Sequence, residues 1–308
     1  MKEYTARISS VHRSVYKAIV DGEEIMCKVA SYGAELPAVG DFVRLDENGY
    51  VIDIAPRKNR IVRQAAGSRV VDEQVLAVNI DHAFIVTSLN NDFNPRRIER
   101  YIAFLELQDI DCRIVFTKAD LCDDIGHYIE EARDLGVEAI VTSSVDGRGL
   151  DEIVDLLSDD KTAVFIGSSG VGKSSIINYL VGGAVQKVKE VRETDDKGKH
   201  TTTHRELFVL DNGSCIIDTP GMREIQFWVG EGTVTSFGDI DSYAQNCKFR
   251  DCKHETEPGC AVKEAIGRGE LSAERLKSHK KLEREAEVAR MRNHLKEKNQ
   301  DKKFFKKG

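Results

Sequence analysis

Over residues 1–56, apolar and polar side chains alternate in short runs. Ser14–Val20, Ile25–Val29, Asp41–Leu45 and Tyr50–Ile54 have the composition of strands, with Ile25, Cys27 and Val29 on one face. Asp21-Gly22 and Asn48-Gly49 lie between runs as hairpin turns, because both pairs tolerate the positive φ that such turns need. About five strands in this length predict a small closed barrel of OB-fold type. Pro56 ends the run and opens a basic segment, Arg57-Lys58-Asn59-Arg60 with Arg63. RNA contact is the favoured reading of that segment, and a solvated linker explains the same residues.

From about residue 75 strand and helix patterns alternate. Ile80–Thr87 reads as a strand, and Asn94-Pro95 caps a helix with Ile98, Ile102 and Leu105 on one face. Cys112–Phe116 and Ala139–Thr142 read as strands, Asp124–Leu135 and Gly149–Leu157 as helices. Ala163–Ile166 is an apolar strand followed by a helical pattern to Leu180, and Glu206–Leu210 with Cys215–Ile217 form a hairpin-like pair. The alternation predicts an α/β domain with a mainly parallel sheet. Past Phe227 the pattern is loop-rich, and from Ser272 it becomes a charged helix ending in Lys302-Lys303-Phe304-Phe305-Lys306-Lys307. The expected division is a barrel at 1–68, an α/β domain at 69–227 and a metal-binding domain with a basic terminal helix at 228–308.

Charge sharpens this picture. Residues 1–70 hold 11 basic against 9 acidic side chains and residues 271–308 hold 13 against 6, so an overall −7 leaves −16 on residues 71–270. An acidic body with a basic tail suits a soluble catalytic domain beside an end that seeks polyanions. No apolar run approaches the ~20 residues of a membrane span, and the first residues carry no signal region, so a cytoplasmic protein without membrane contact, and a monomer, are expected.

The sequence Gly167-Ser168-Ser169-Gly170-Val171-Gly172-Lys173-Ser174 fits the phosphate-loop pattern G-x-x-x-x-G-K-[ST], in the strand–loop–helix setting that the pattern requires. Its glycines let successive N–H groups, on to Ser175, converge on a polyphosphate at a helix N-terminus. Lys173 would reach the terminal phosphates and the Ser174 hydroxyl would ligate Mg²⁺. Asp218-Thr219-Pro220-Gly221, 44 residues beyond Ser174 at Asp218 and after an apolar strand, would add an Mg²⁺ carboxylate and a Gly221 N–H for the γ-phosphate.

Thr117-Lys118-Ala119-Asp120 resembles the guanine-reading N-K-x-D motif. A buried Asp120 carboxylate accepts from the N1–H and N2–H₂ donors of guanine and would stand unpaired against adenine. The Lys118 stem would cover the base. Thr117 in place of asparagine is expected to lose the amide that ties this loop to the phosphate loop. Thr142-Ser143-Ser144 would supply Ser143 and Ser144 beside guanine O6. Both base-reading segments precede the phosphate loop, so the domain reads as a circularly permuted GTPase.

Between the phosphate motifs, Thr194–His204 is polar and glycine-bearing. One of Thr201, Thr202 and Thr203 (Thr202 the central one) would meet Mg²⁺. Met222 stands where a water-orienting glutamine would fall, leaving His200 and His204 as candidates, His200 preferred. Cys247, Cys252, His254 and Cys260 offer three thiolates and an imidazole within fourteen residues, a closed set for one structural Zn²⁺. A poorly cored region of this size needs such a staple.

Taken in order, barrel, T-K-A-D, G-S-S-G-V-G-K-S, G-K-H-T-T-T-H, D-T-P-G and C-x4-C-x-H-x5-C resemble the circularly permuted ribosome-biogenesis GTPases of the RsgA (YjeQ/YloQ) type over nearly the whole chain. The resemblance implies hydrolysis of GTP to GDP and phosphate, stimulated by the small (30S) ribosomal subunit during its late maturation. It also implies that barrel and zinc domain grip ribosomal RNA, and that a switch-loop histidine, here His200, positions water. A nucleotide-regulated RNA-binding module with little hydrolysis and a phosphate-loop ATPase are the alternatives.

Overall fold

Alternating apolar residues wind the first strands around one interior. The computed structural model describes residues 3–12, 15–29, 36–64, 73–90, 92–158, 160–182, 205–218, 238–250, 252–281, 283–284 and 287. β1 (Tyr4–His12), β2 (Val15–Val20), β3 (Glu23–Val29), β4 (Phe42–Leu45) and β5 (Tyr50–Ile54) follow one another. They pair in the order β1-β2-β3-β5-β4, and β4 returns to β1 to close the barrel. Ala6, Ile8, Tyr16, Ala18, Cys27, Val43 and Leu45 fill it. Burial pushes the Cys27 thiol up to about 11, so it packs as a small apolar group.

The barrel is continuous with the next sheet. Tyr4–Arg7 of β1 pair with β4, while Ser10 and Val11 pair with β12 (Arg205–Val209). A register shift against β2 between Ile8 and Ser10 falls where β1 exchanges one partner for the other. Arg7 adds a side-chain tie, donating to the Thr162 hydroxyl at 2.6 Å and to Cys215 Sγ at 3.2 Å.

Beyond the barrel, β6 (Arg60–Gln64) and β7 (Glu73–Val78) form a separate antiparallel pair. Part of the basic segment expected at the surface is engaged within the protein. Arg57 donates Nε and Nη2 to Asp41 at 2.8 and 2.7 Å, and Asp41 is 0% exposed. Lys58 pairs with Asp81 at 3.0 Å. The buried Asn59 side chain exchanges two hydrogen bonds with the Ile80 backbone, as a strand neighbour would. These residues join barrel to sheet, which removes Arg57 and Asn59 from any RNA surface.

The second sheet follows the α/β expectation. β8 (His82–Ser88), β9 (Asp111–Thr117), β10 (Ala139–Val141), β11 (Thr162–Ile166) and β13 (Cys215–Asp218) run parallel in the order β10-β9-β8-β11-β13, and β12 is antiparallel beside β13. The continuous hydrophobic strands β8 and β11 occupy the centre, as doubly covered parallel strands require. α2 (Ile125–Asp134), α3 (Leu150–Leu156) and α4 (Lys173–Leu180) are the helices of this sheet. Asp124 caps α2 by accepting from the His127 N–H.

The described residues fall into two compact units, one drawn from Met1–Asn94 and Gln108–Gln226, the other from Pro95–Leu107 and Phe227–Gly308. The second contains α1 (Pro95–Leu107), α5 (Gly238–Ala244), α6 (Ala261–Gly267) and a helical stretch over 273–281. Its core gathers Ala103, Ile240, Cys260, Val262, Ala265 and Leu276. Arg275 fastens it, donating Nη1 to Glu99 of α1 and Nε to Asp239 of α5, the latter at 2.6 Å. Among the described residues no helix is long and apolar enough to cross a membrane.

Candidate nucleotide site and metal cluster

Strand order locates a crevice. From β8 the chain proceeds outward to β9 and β10, whereas from β11 it proceeds the other way to β13, so the topology reverses between β8 and β11. Ligands of open α/β sheets bind at the carboxyl ends of strands at such a point. The loops expected to hold a nucleotide leave from those ends.

The phosphate loop runs from β11 to α4. Gly167 (φ +154) passes so close to β8 that a Cβ would lie 2.1 Å from the Val86 carbonyl oxygen, so only glycine fits. Val171 is buried and anchors the loop in the core. Gly172 (φ +102) directly precedes α4. Lys173 folds back over the loop, donating to the Gly167 carbonyl at 2.7 Å and to that of Ser168. Ser169, Gly170, Ser174 and Ser175 are exposed.

At the end of β9, Thr117 is buried, and its hydroxyl donates to the Val171 carbonyl. The tie expected to be missing is therefore present, made by a hydroxyl. Lys118 turns through the left-handed region (φ 60, ψ 38), an uncommon conformation for a long side chain. That turn lets the Ala119 N–H reach the Thr142 carbonyl at 3.2 Å. Ser143, fully buried after β10, donates to Asp120 Oδ1 at 2.8 Å and accepts from the Val145 N–H at 3.2 Å. Asp120 itself is exposed, so its carboxylate stands at the protein surface and not in the buried setting expected; Ser144 is exposed too. Asp218 ends β13 and is partly buried. His200, His204, Thr202, Gly221 and Met222 lie outside the described residues.

The four metal-ligand candidates converge. Cys247, Cys252, His254 and Cys260 place their ligand atoms within 4.8 Å of one another. His254 Nδ1 stands 3.6 Å from Cys247 Sγ and 3.3 Å from Cys260 Sγ. His254 adopts φ 55, and its carbonyl accepts from Lys280 at 3.1 Å. The Lys248 N–H donates to the Gly259 carbonyl at 3.0 Å, closing the loop that carries the ligands. Three thiols and one imidazole at this spacing fit a tetrahedral ion, with no carboxylate in the set.

Sequence reasoning found the anchor residues but missed the lacing among them. Thr117 to Val171 and Ala119 to Thr142 depend on a buried hydroxyl and a left-handed lysine, neither of which has a spacing signature.

Comparison with known proteins agrees with this geometry. The sequence matches the RsgA GTPase family over residues 54–228. A protein of Xylella fastidiosa (strain M12) named small ribosomal subunit biogenesis GTPase RsgA is 43% identical over 289 residues, covering 90% of this chain and 86% of that protein. RsgA 2 of Lactiplantibacillus plantarum is 43% identical over 292 residues, covering 91% and 82%. The crystal structure of YjeQ from Thermotoga maritima is similar with a TM-score of 0.64 at 25% identity, covering 91% of this chain and 97% of that one. That of YloQ, described as a circularly permuted GTPase, has a TM-score of 0.61 at 26% identity, covering 96% of each. With β9 and β10 ahead of β11, the strand that leads into the G-x-x-x-x-G-K-S loop, this chain belongs to the RsgA family of circularly permuted GTPases.

Proposed function

We propose that this GTPase hydrolyses GTP to GDP and phosphate at the carboxyl ends of β9, β10, β11 and β13, and that it does so during maturation of the small ribosomal subunit. The observation that carries the site assignment is the lacing of three loops, with Thr117 bonded to Val171 and Ser143 bonded to Asp120. Phosphate-binding and base-reading groups are thereby held at one fixed separation, which is what positions a γ-phosphate for attack.

In this reading the N–H groups from Ser168 to Ser175 cradle the phosphates, and Lys173 leaves the loop carbonyls to neutralise them. Ser174 and Asp218 organise Mg²⁺, with Thr202 adding a third oxygen. Asp120 accepts from guanine N1–H and N2–H₂, while Ser144 meets O6 through its N–H. Gly221 meets the γ-phosphate, and His200 positions the attacking water, since Met222 cannot. Cys247, Cys252, His254 and Cys260 hold one Zn²⁺ that fixes the fold of the second unit. The small subunit and its ribosomal RNA are the partner, which the names of the relatives support. With Met222 where a water-orienting glutamine would fall, the site turns over slowly alone and needs the partner's surface.

Single-turnover hydrolysis with and without separated ribosomal subunits tests this. Small subunits should accelerate phosphate release by at least about tenfold and large subunits should not. Equal rates in all three conditions would refute partner activation.

A further inference from the structure

Strand pairing sets one row of residues across the sheet that barrel and α/β layer share. Met26 is opposite Lys17, Lys17 opposite Ser10, Ser10 opposite Glu206, and Glu206 opposite Asp218. Directly opposed residues share a face, so Glu206 and Asp218 project to the same side with Cβ atoms about 5 Å apart. That side faces the phosphate loop. Ile216, two residues before Asp218 and therefore on its face, packs in one core with Val171 of the loop and Ile176 of α4. Asp218 is thus accompanied, on the phosphate-loop side, by a second carboxylate.

Like charges directly opposed across two strands repel. One charge that offsets Glu206 comes from the barrel. Lys17 donates to Glu24 at 2.7 Å. That bond first, and then the charges of Glu24 and Glu206, hold the Lys17 ammonium above its ordinary value. Lys17 and Asp218 lie on opposite flanks of Glu206 in the row. A divalent cation at Asp218 would relieve the repulsion from the other flank, and the waters that Mg²⁺ retains are donors for a neighbouring carboxylate.

We propose that Glu206 is a positioning residue on the magnesium side of the nucleotide site, giving negative charge and a hydrogen-bond acceptor to the hydrated ion that Asp218 organises. The assignment rests on the reading of Asp218 as the Mg²⁺ carboxylate. It adds a residue from β12, the strand that joins barrel to sheet, and so makes the charge of the barrel's Lys17 felt at the ion.

GDP affinity of the full chain, titrated calorimetrically over a series of buffered free Mg²⁺ concentrations, tests this. Glu206→Gln should raise the Mg²⁺ concentration at half-effect about three- to tenfold. Without Mg²⁺ its GDP affinity should be unchanged or tighter, because a negative charge near the phosphates is gone. Lys17→Gln should lower the midpoint about twofold at low ionic strength, and the shift should vanish in high salt. An unmoved midpoint in Glu206→Gln would overturn the proposal. A GDP affinity reduced equally with and without Mg²⁺ would overturn it too, making Glu206 a sheet residue only. No shift in Lys17→Gln at low salt would strike the barrel from it. Asp218→Asn with an unmoved midpoint would instead defeat the Asp218 reading. A shift in Asp218→Asn alone would leave that reading standing and remove Glu206.

Discussion

The Thr117 hydroxyl donates to the Val171 carbonyl, joining the end of β9 to the middle of the phosphate loop. Thr117 also crowds Gly172, where a Cβ would lie 3.4 Å from its own Cβ, so the two loops are in contact through side chain and backbone alike. Thr117→Val keeps the shape and removes the donor. The buried Val171 carbonyl then loses its partner, at a cost of about 1–3 kcal/mol. GDP affinity by calorimetric titration should fall about five- to tenfold, whereas Thr117→Ser should bind nearly as wild type does. Unchanged affinity in Thr117→Val would show that the phosphate loop keeps its shape without this bond.

Asp120→Asn exchanges an acceptor for a group that also donates, while the Ser143 hydroxyl can still donate to the remaining oxygen. The fold should therefore persist, with an unchanged melting temperature. Facing guanine, the new amide sets donor against donor, and GTP affinity should drop by about a hundredfold or more. Xanthine offers an oxygen where guanine offers N2–H₂, so xanthosine nucleotides should bind the variant better than GTP. A variant that retains GTP preference would place the base elsewhere.

How much of this was legible in the sequence depended on whether a residue's role is local. The strand and helix boundaries around Asp124–Leu135 or Ala163–Ile166 follow from periodicity and capping, and the structure reproduces them closely. β1 escaped because its register shift between Ile8 and Ser10 breaks the alternation, leaving the polar Ser9 buried beside Ile8. The segment before β6 was misread because Arg57 and Asn59 look like solvent-facing polar residues until Asp41 and Ile80 are known to meet them. The membership of α1 in the second unit was equally hidden, since it rests on long-range pairing between Glu99 and Arg275, 176 residues apart. The phosphate loop and the Cys₃His set were legible because their chemistry requires fixed residue types at short spacing.

The metal cluster predicts one tightly held zinc per chain. Purified protein should contain it by elemental analysis, and Cys252→Ser should lower both the content and the stability of the second unit. Structural zinc sites contribute about 10–16 kcal/mol in small fingers at neutral pH, more than the modest apolar core around Ile240 and Val262 can replace. Chelation should therefore abolish a thermal transition while GDP binding, which depends on the first unit, survives. A chain that keeps both transitions after metal is stripped would argue that Cys247, Cys252, His254 and Cys260 pack as ordinary thiols.

Arg275 gives a prediction with a defined pH dependence. Its side chain is 16% exposed and pairs with Glu99, which is 8% exposed. Burial pushes the Glu99 carboxyl above its ordinary value, and the Arg275 charge draws it back only in part. A carboxyl raised in the folded state contributes stability that is present below the usual carboxylate range and is lost as pH rises through the raised value. Arg275→Met removes the compensating charge, raises Glu99 further and widens that window. Breaking such a pair typically costs about 3–5 kcal/mol, so urea denaturation should show a large loss at pH 8 and a markedly smaller one near pH 5. Asp239, being more exposed, tolerates losing its partner. The double variant Glu99→Gln with Arg275→Met leaves no charge at this pair and should recover much of the loss at pH 8. Equal losses at both pH values, with no recovery in the double variant, would mean that Arg275 stabilises this unit through packing and not through its charge.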